Sequence, residues 1–148
     1  MKFKSVEELL RFAINKEIAS AQFYYDLAAT TKNEIVKDVF LEMAAEEVNH
    51  KRQLELEVMK LGKVIVEEEL DNSRQPDDFF LESDLDKTFG FAETLQLGIQ
   101  KEQAAFGMYM DLYAITQDDE QRMVIMEMAE EEVRHKVILE SQYNELLK

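Results

Sequence analysis

The only two histidines of the chain, His50 and His135, each follow a glutamate by three residues. Each pair has another glutamate thirty residues upstream, so the two sets read Glu17, Glu47, His50 and Glu102, Glu132, His135. A constant shift of 85 residues carries one set onto the other. Carboxylate oxygen and imidazole nitrogen both bind divalent metals, and positions i and i+3 share one face of a helix. Two copies of the same three-point pattern are therefore the skeleton of a binuclear metal site. Hard oxygen with imidazole suits iron or manganese, with zinc also able to bind.

The elements that must position these residues carry the same repeat. Residues 39–55 match residues 124–140 at eleven of seventeen positions without a gap, and 12–31 match 97–116 at nine of twenty. Such self-similarity marks a duplicated structural unit, here a helical hairpin. Ser5 with Glu8 forms a capping-box signature for the first helix, and Leu10, Ala13, Ile14, Ala21, Tyr24 and Ala28 recur at helical spacing. Thr30-Thr31-Lys32-Asn33 is a turn, with Thr31 or Asn33 suited to cap the second helix. Phe40, Met43, Leu54, Val58 and Leu61 carry that helix's apolar stripe, and Gly62 is its expected stop. In the second copy, Leu95, Phe106, Tyr109 and Leu112 precede the turn Thr116-Gln117-Asp118, and Ile125, Met128, Leu139 and Leu146 follow it.

Residues of a hairpin that lie equally far from its turn face each other. Glu17 pairs with Glu47 and His50 about a midpoint inside the first turn, as Glu102 does with Glu132 and His135 about the second. All six then lie at one level, about 22 Å from the loops. Between the hairpins, residues 62–88 lose the pattern and are too many for a tight turn. They are long enough to cross the length of a bundle. An all-α, ferritin-like four-helix bundle with one long crossover follows, as one domain over 1–148, with hairpins at about 5–61 and 89–147. Phe79-Phe80-Leu81 is expected to make a short helical or anchoring piece within the crossover.

Composition limits the function. The 148 residues suit one domain with one core, and an apolar content of 46% with one proline and four glycines suits packed helices. No apolar run approaches the roughly 18 residues needed to span a bilayer. Acidic residues at Glu7 and Glu8 speak against a secretory signal, so the expected location is the cytoplasm. Cysteine is absent, which excludes disulfides, thiolate catalysis and iron–sulfur clusters. A formal charge of −15 argues against a nucleic-acid partner, which would need clustered Lys and Arg.

Four carboxylates interrupt an apolar seam, and burying them is prohibitive unless their charge is offset. On this reading no Lys or Arg lies on the inward stripe; Lys16, Lys51, Lys101 and Lys136 fall one position away. Two divalent cations would supply the charge, and four Glu with two ExxH helices is the ligand set of di-iron and di-manganese bundles. Glu46, Glu130 and Glu131 are expected to face solvent. Tyr24 and Tyr109, each seven residues after its glutamate, return to the inward stripe as core residues or as outer hydrogen-bond partners of a ligand carboxylate. Met43 and Met128 read as gap-filling core residues.

On Glu17 with Tyr24, Glu47-Val-Asn-His50, Glu102, and Glu132-Val-Arg-His135, the chain resembles the di-iron domain of the rubrerythrin family over both hairpins. The resemblance implies that Glu17 and Glu102 are terminal ligands, Glu47 and Glu132 bridge, and His50 and His135 bind one metal each. It implies an oxidoreductase whose two iron ions reduce hydrogen peroxide, or O₂, to water. Rubrerythrins commonly carry a four-cysteine rubredoxin domain as electron source, so this chain would draw on an external redox protein. The family places a further glutamate one turn after the helix-three ligand, where this chain has Ala105. A non-catalytic, iron-handling role is the other reading. A homo-oligomer is expected, including a dimer formed by exchange of hairpins.

Overall fold

In the computed structural model, residues 5–65 and 90–148 are described, and they form four long helices. These are α1 (Val6–Thr30), α2 (Glu34–Lys60), α3 (Phe91–Ile115) and α4 (Asp119–Leu146). Helices α1 and α2 pack as one hairpin and α3 and α4 as the other, while α1 meets α3 and α2 meets α4 across the bundle. Each helix runs about 40 Å at 1.5 Å per residue. No described helix is long and apolar enough to cross a membrane.

The helix ends form where the sequence places them. Ser5 Oγ accepts from the Glu8 N–H at 3.1 Å and opens α1. Of the two residues suited to cap α2, Asn33 does so, its Oδ1 accepting from the Ile35 and Val36 N–H groups at 2.9 and 3.2 Å. Thr31 instead closes α1, its hydroxyl donating to the Leu27 carbonyl. Asp118 caps α4 through the Glu120 N–H. After α2 the chain passes through Gly62 at φ 79°, a left-handed turn that glycine enters without a Cβ penalty.

The core is divided into two apolar plugs. Leu9, Leu10 and Ala13 of α1, Leu54 and Val58 of α2, Met108 and Leu112 of α3, and Ile125 and Met128 of α4 fill one end. Phe23, Leu27, Phe40, Met43, Leu95 and Leu139 fill the other. The end of α2 lies in the first plug and the start of α3 in the second, so the segment between them joins opposite ends of the bundle, as its length implied. Phe79-Phe80-Leu81 lie outside the described residues.

Three positions of the expected stripes are exposed, namely Leu61, Phe106 and Leu146. Leu61 and Leu146 sit at helix ends, past the last turn that meets a neighbour. Phe106 shares helical spacing with the buried positions but lies at the margin of the arc that α3 buries. Leu54, fully buried one turn from the site, makes a sharp test of this packing. Its replacement by Ala is expected to lower the unfolding free energy by about 2–5 kcal/mol, read from the urea midpoint at unchanged slope.

Candidate metal centre

All six histidine and glutamate side chains meet between the two plugs, at the middle of the bundle. Glu17 comes from α1, Glu47 and His50 from α2, Glu102 from α3, and Glu132 and His135 from α4, and each is at most 1% exposed. Their ligand atoms fall into two groups within which all atoms lie inside 4.8 Å of one another. One group is Glu17, Glu47, His50 and Glu132; the other is Glu47, Glu102, Glu132 and His135. Glu47 and Glu132 belong to both groups, and Glu17 and Glu102 to one each.

The hydrogen bonds draw the same distinction. Tyr109 donates its hydroxyl to Glu17 Oε1 at 2.7 Å, and Tyr24 donates to Glu102 Oε1. Each of these glutamates keeps one oxygen, Oε2, without a hydrogen-bond partner. Glu47 and Glu132 make no hydrogen bond at either oxygen, nor does Nδ1 of either histidine, although Nδ1 of His50 stands 3.1 Å from Glu132 and that of His135 3.3 Å from Glu47. Buried polar atoms are ordinarily hydrogen-bonded. These converge instead on one small volume, as a pair of cations requires. Two glutamates with one open oxygen and two with both open are a donor set that fits two terminal and two bridging carboxylates. The residues present fit a binuclear metal group.

The tyrosines resolve the choice left open by the sequence. Both are fully buried and both hydrogen-bond a carboxylate, but each reaches the glutamate of the other copy of the repeat. Two further residues overturn their expectation. Glu46 and Glu131 do not simply face solvent: Glu131 Oε2 lies 2.9 Å from His50 Nε2, and Glu46 Oε1 lies 3.1 Å from His135 Nε2. Each carboxylate crosses from one hairpin to the histidine of the other. A signal was present in the sequence, since Glu46 and Glu131 are themselves related by the 85-residue shift. Glu130 is exposed as expected.

Lys16 and Lys101 also depart from the sequence reading, each being only 3% exposed. Helices α1 and α3 meet each other more extensively than α2 meets α4, and their buried arc takes in the residue beside each glutamate. Burial lowers the Lys101 ammonium to about 8, against the pull of Glu102 and with the repulsion of Lys16. Positive charge on the flank of the cluster is therefore part of its electrostatics.

Without metal, the cluster holds protons. Burial and then the charge of Glu47 raise Glu17 to about 7. Burial, with the charges of Glu102, Glu47 and Glu17, pushes Glu132 well above the usual carboxylate range. Burial opposes protonation of His50, but Glu17 and Glu47 hold it up to about 9. His135 reaches about 11 through Glu102 and Glu47, again against burial. Burial and the Glu102 charge push Tyr24 far above its ordinary value, and burial and Glu17 do the same to Tyr109, so both phenols stay protonated donors.

A family model described as rubrerythrin matches residues 8–143. The chain belongs to the rubrerythrin family. Among curated proteins, none matches it in sequence. Its fold is similar to a hypothetical protein from Pyrococcus furiosus, with 26% identity, a TM-score of 0.80, and coverage of 97% of this chain and 91% of that one. A putative ferritin-like diiron-carboxylate protein from Thermotoga maritima is 21% identical at a TM-score of 0.76, covering 98% of both chains. KatB, a manganese catalase from Anabaena, is 15% identical at a TM-score of 0.73, covering all of this chain and 76% of that one. The last two likenesses are to the fold, which is ferritin-like. A glutamate and histidine cluster suited to a binuclear metal site sits at its centre, with iron and manganese both suited to the donors.

Two predictions follow from the cluster's charge. The metal-free folded protein binds more protons than the unfolded chain while pH rises past 4.5 for Glu17 and 6.5 for His50, toward their folded values of about 7 and 9. Its stability is thus expected to fall from about pH 5 to about pH 8, above which the lowered Lys101 acts in the opposite sense. A series of melting temperatures across that range checks it, and saturating metal should flatten the dependence. Tyr109→Phe, which removes the donor to Glu17, is expected to weaken metal binding roughly tenfold in an equilibrium titration.

Proposed function

We propose that the chain is a di-iron carboxylate oxidoreductase that reduces hydrogen peroxide, or O₂, with electrons from an external redox protein. The observation that carries this reading is the split between two glutamates with one open oxygen and two with both open, met by one Nδ1 from each side. Glu17 and Glu102 would each hold one iron, Glu47 and Glu132 would span both, and His50 and His135 would hold one each. When bound, two ferrous ions supply two electrons, so that one peroxide and two protons give two waters.

The protein's own part is to build and guard that centre. Apolar plugs above and below exclude bulk water and leave the carboxylates to the metals. Tyr24 and Tyr109 hold Glu102 and Glu17 by one oxygen and leave the other free to turn. Glu131 and Glu46 accept from Nε2 of His50 and His135, which fixes each ring with Nδ1 turned inward. The catalase activity named for the Anabaena neighbour is compatible with peroxide as the substrate. Exposed Leu56, Met123, Val133 and Val137 on the outer faces of α2 and α4 support association into a homo-oligomer.

One feature favours the second reading, a protein that holds and releases iron without turnover. Ala105, buried on the turn after Glu102, offers no fifth carboxylate and so no seventh ligand. Stopped-flow mixing of the anaerobic, iron-loaded protein with hydrogen peroxide separates the two. Oxidation of both ferrous ions by one equivalent of peroxide, faster than with O₂, is the expected result. Slow or substoichiometric oxidation with two irons bound would instead assign the chain to iron handling. Replacing Glu17, Glu47, Glu102 and Glu132 together by Gln should abolish stoichiometric iron binding under either reading.

A further inference from the structure

The residues around the two histidines are nearly matched. Tyr24 and Tyr109, Glu46 and Glu131, and Lys16 and Lys101 are all related by the 85-residue shift. Position 49 breaks the match, because the first copy has Asn49 where the second has Arg134. The Arg134 guanidinium donates to Glu46 Oε2, while Glu46 Oε1 stands 3.1 Å from His135 Nε2. One carboxylate is shared between an imidazole and a cation. On the other side Glu131 Oε2 stands 2.9 Å from His50 Nε2, and the amide of Asn49 brings no charge to it.

We propose that the two metal positions are inequivalent: the one held by His50 binds its ion more tightly than the one held by His135, and Arg134 sets the difference through Glu46. The inference rests on the binuclear reading of the centre. An imidazole that donates one N–H to a carboxylate becomes a better donor at its other nitrogen. A guanidinium on the same carboxylate draws its charge away and weakens that effect. The positive charge of Arg134 also opposes a nearby cation. Both influences act in one direction. The side chains of Glu46 and Arg134 are 28% and 48% exposed, so solvent screens part of the effect. A difference of about tenfold is expected, at the low end of the range for outer partners of a metal-bound histidine. Ser20 against Ala105 is buried and changes no charge, while Ala45 against Glu130 and Arg52 against Val137 change charge at exposed positions, where solvent screens it.

Anaerobic calorimetric titration of the metal-free full chain with Co(II) tests the inference. Two binding steps about tenfold apart are expected. Arg134→Asn should tighten the second step toward the first and leave the first unchanged; Arg134→Lys should keep the steps apart. Asn49→Arg should loosen the first step, and the double exchange N49R/R134N should restore the separation. Glu131→Gln should weaken the first step alone, which ties that step to His50. Two equal steps in the wild-type chain, or a separation unmoved by Arg134→Asn, would overturn the inference and leave the binuclear centre standing. Failure to take up two ions would overturn both.

Discussion

Four carboxylates clustered at the centre of an apolar bundle are the constraint from which the rest of the structure takes its form. Like charges so close cannot all ionise in a dry interior without positive partners. The two histidines beside them, Nδ1 of His50 lying 3.4 Å from Glu17 and 3.1 Å from Glu132, supply part of what is needed. Protons on Glu17 and Glu132 supply more. The metal-free arrangement therefore gives up stability to keep an excess of negative charge that two divalent cations would remove. A core of this kind is suited to cation binding rather than to maximal stability.

The apolar plugs make that arrangement tolerable. Leu10, Leu54, Leu112 and Ile125 on one side, and Phe40, Met43, Leu95 and Leu139 on the other, bury enough surface to hold the helices in register around the polar layer. Gly98 contributes by its lack of a side chain, since a Cβ there would come within 3.0 Å of Leu139 and 3.1 Å of Phe23. Caps at Ser5, Asn33 and Asp118 fix where each helix begins, and so the height at which its glutamate projects. Rigid ends and a strained middle are a common division of labour at functional sites.

Much of this was legible in the residues. The spacing of Glu17, Glu47 and His50 about one turn, repeated for Glu102, Glu132 and His135, was enough to place six side chains at one level, because hairpin geometry converts sequence distance into height. Helix periodicity found the plugs. What it missed lies off the central stripe. Lys16 and Lys101 are buried on the two helices that meet more extensively than α2 and α4 do, which a single-helix stripe does not anticipate. The partnership of Glu46 and Glu131 with the histidines depends on how α2 and α4 face each other across the bundle, which only the assembled bundle shows. The tyrosines were found, but their exchange between copies could not be, since either glutamate stands at the same level.

That exchange has a consequence for how the centre comes apart. Tyr24 to Glu102, Tyr109 to Glu17, Glu131 to His50 and Glu46 to His135 all join one hairpin to the other, so neither hairpin can satisfy its own polar groups. In a centre divided between separate polypeptides, dilution would dissolve such contacts. Here both halves travel on one chain, and their effective concentration is set by the tether rather than by the amount of protein present.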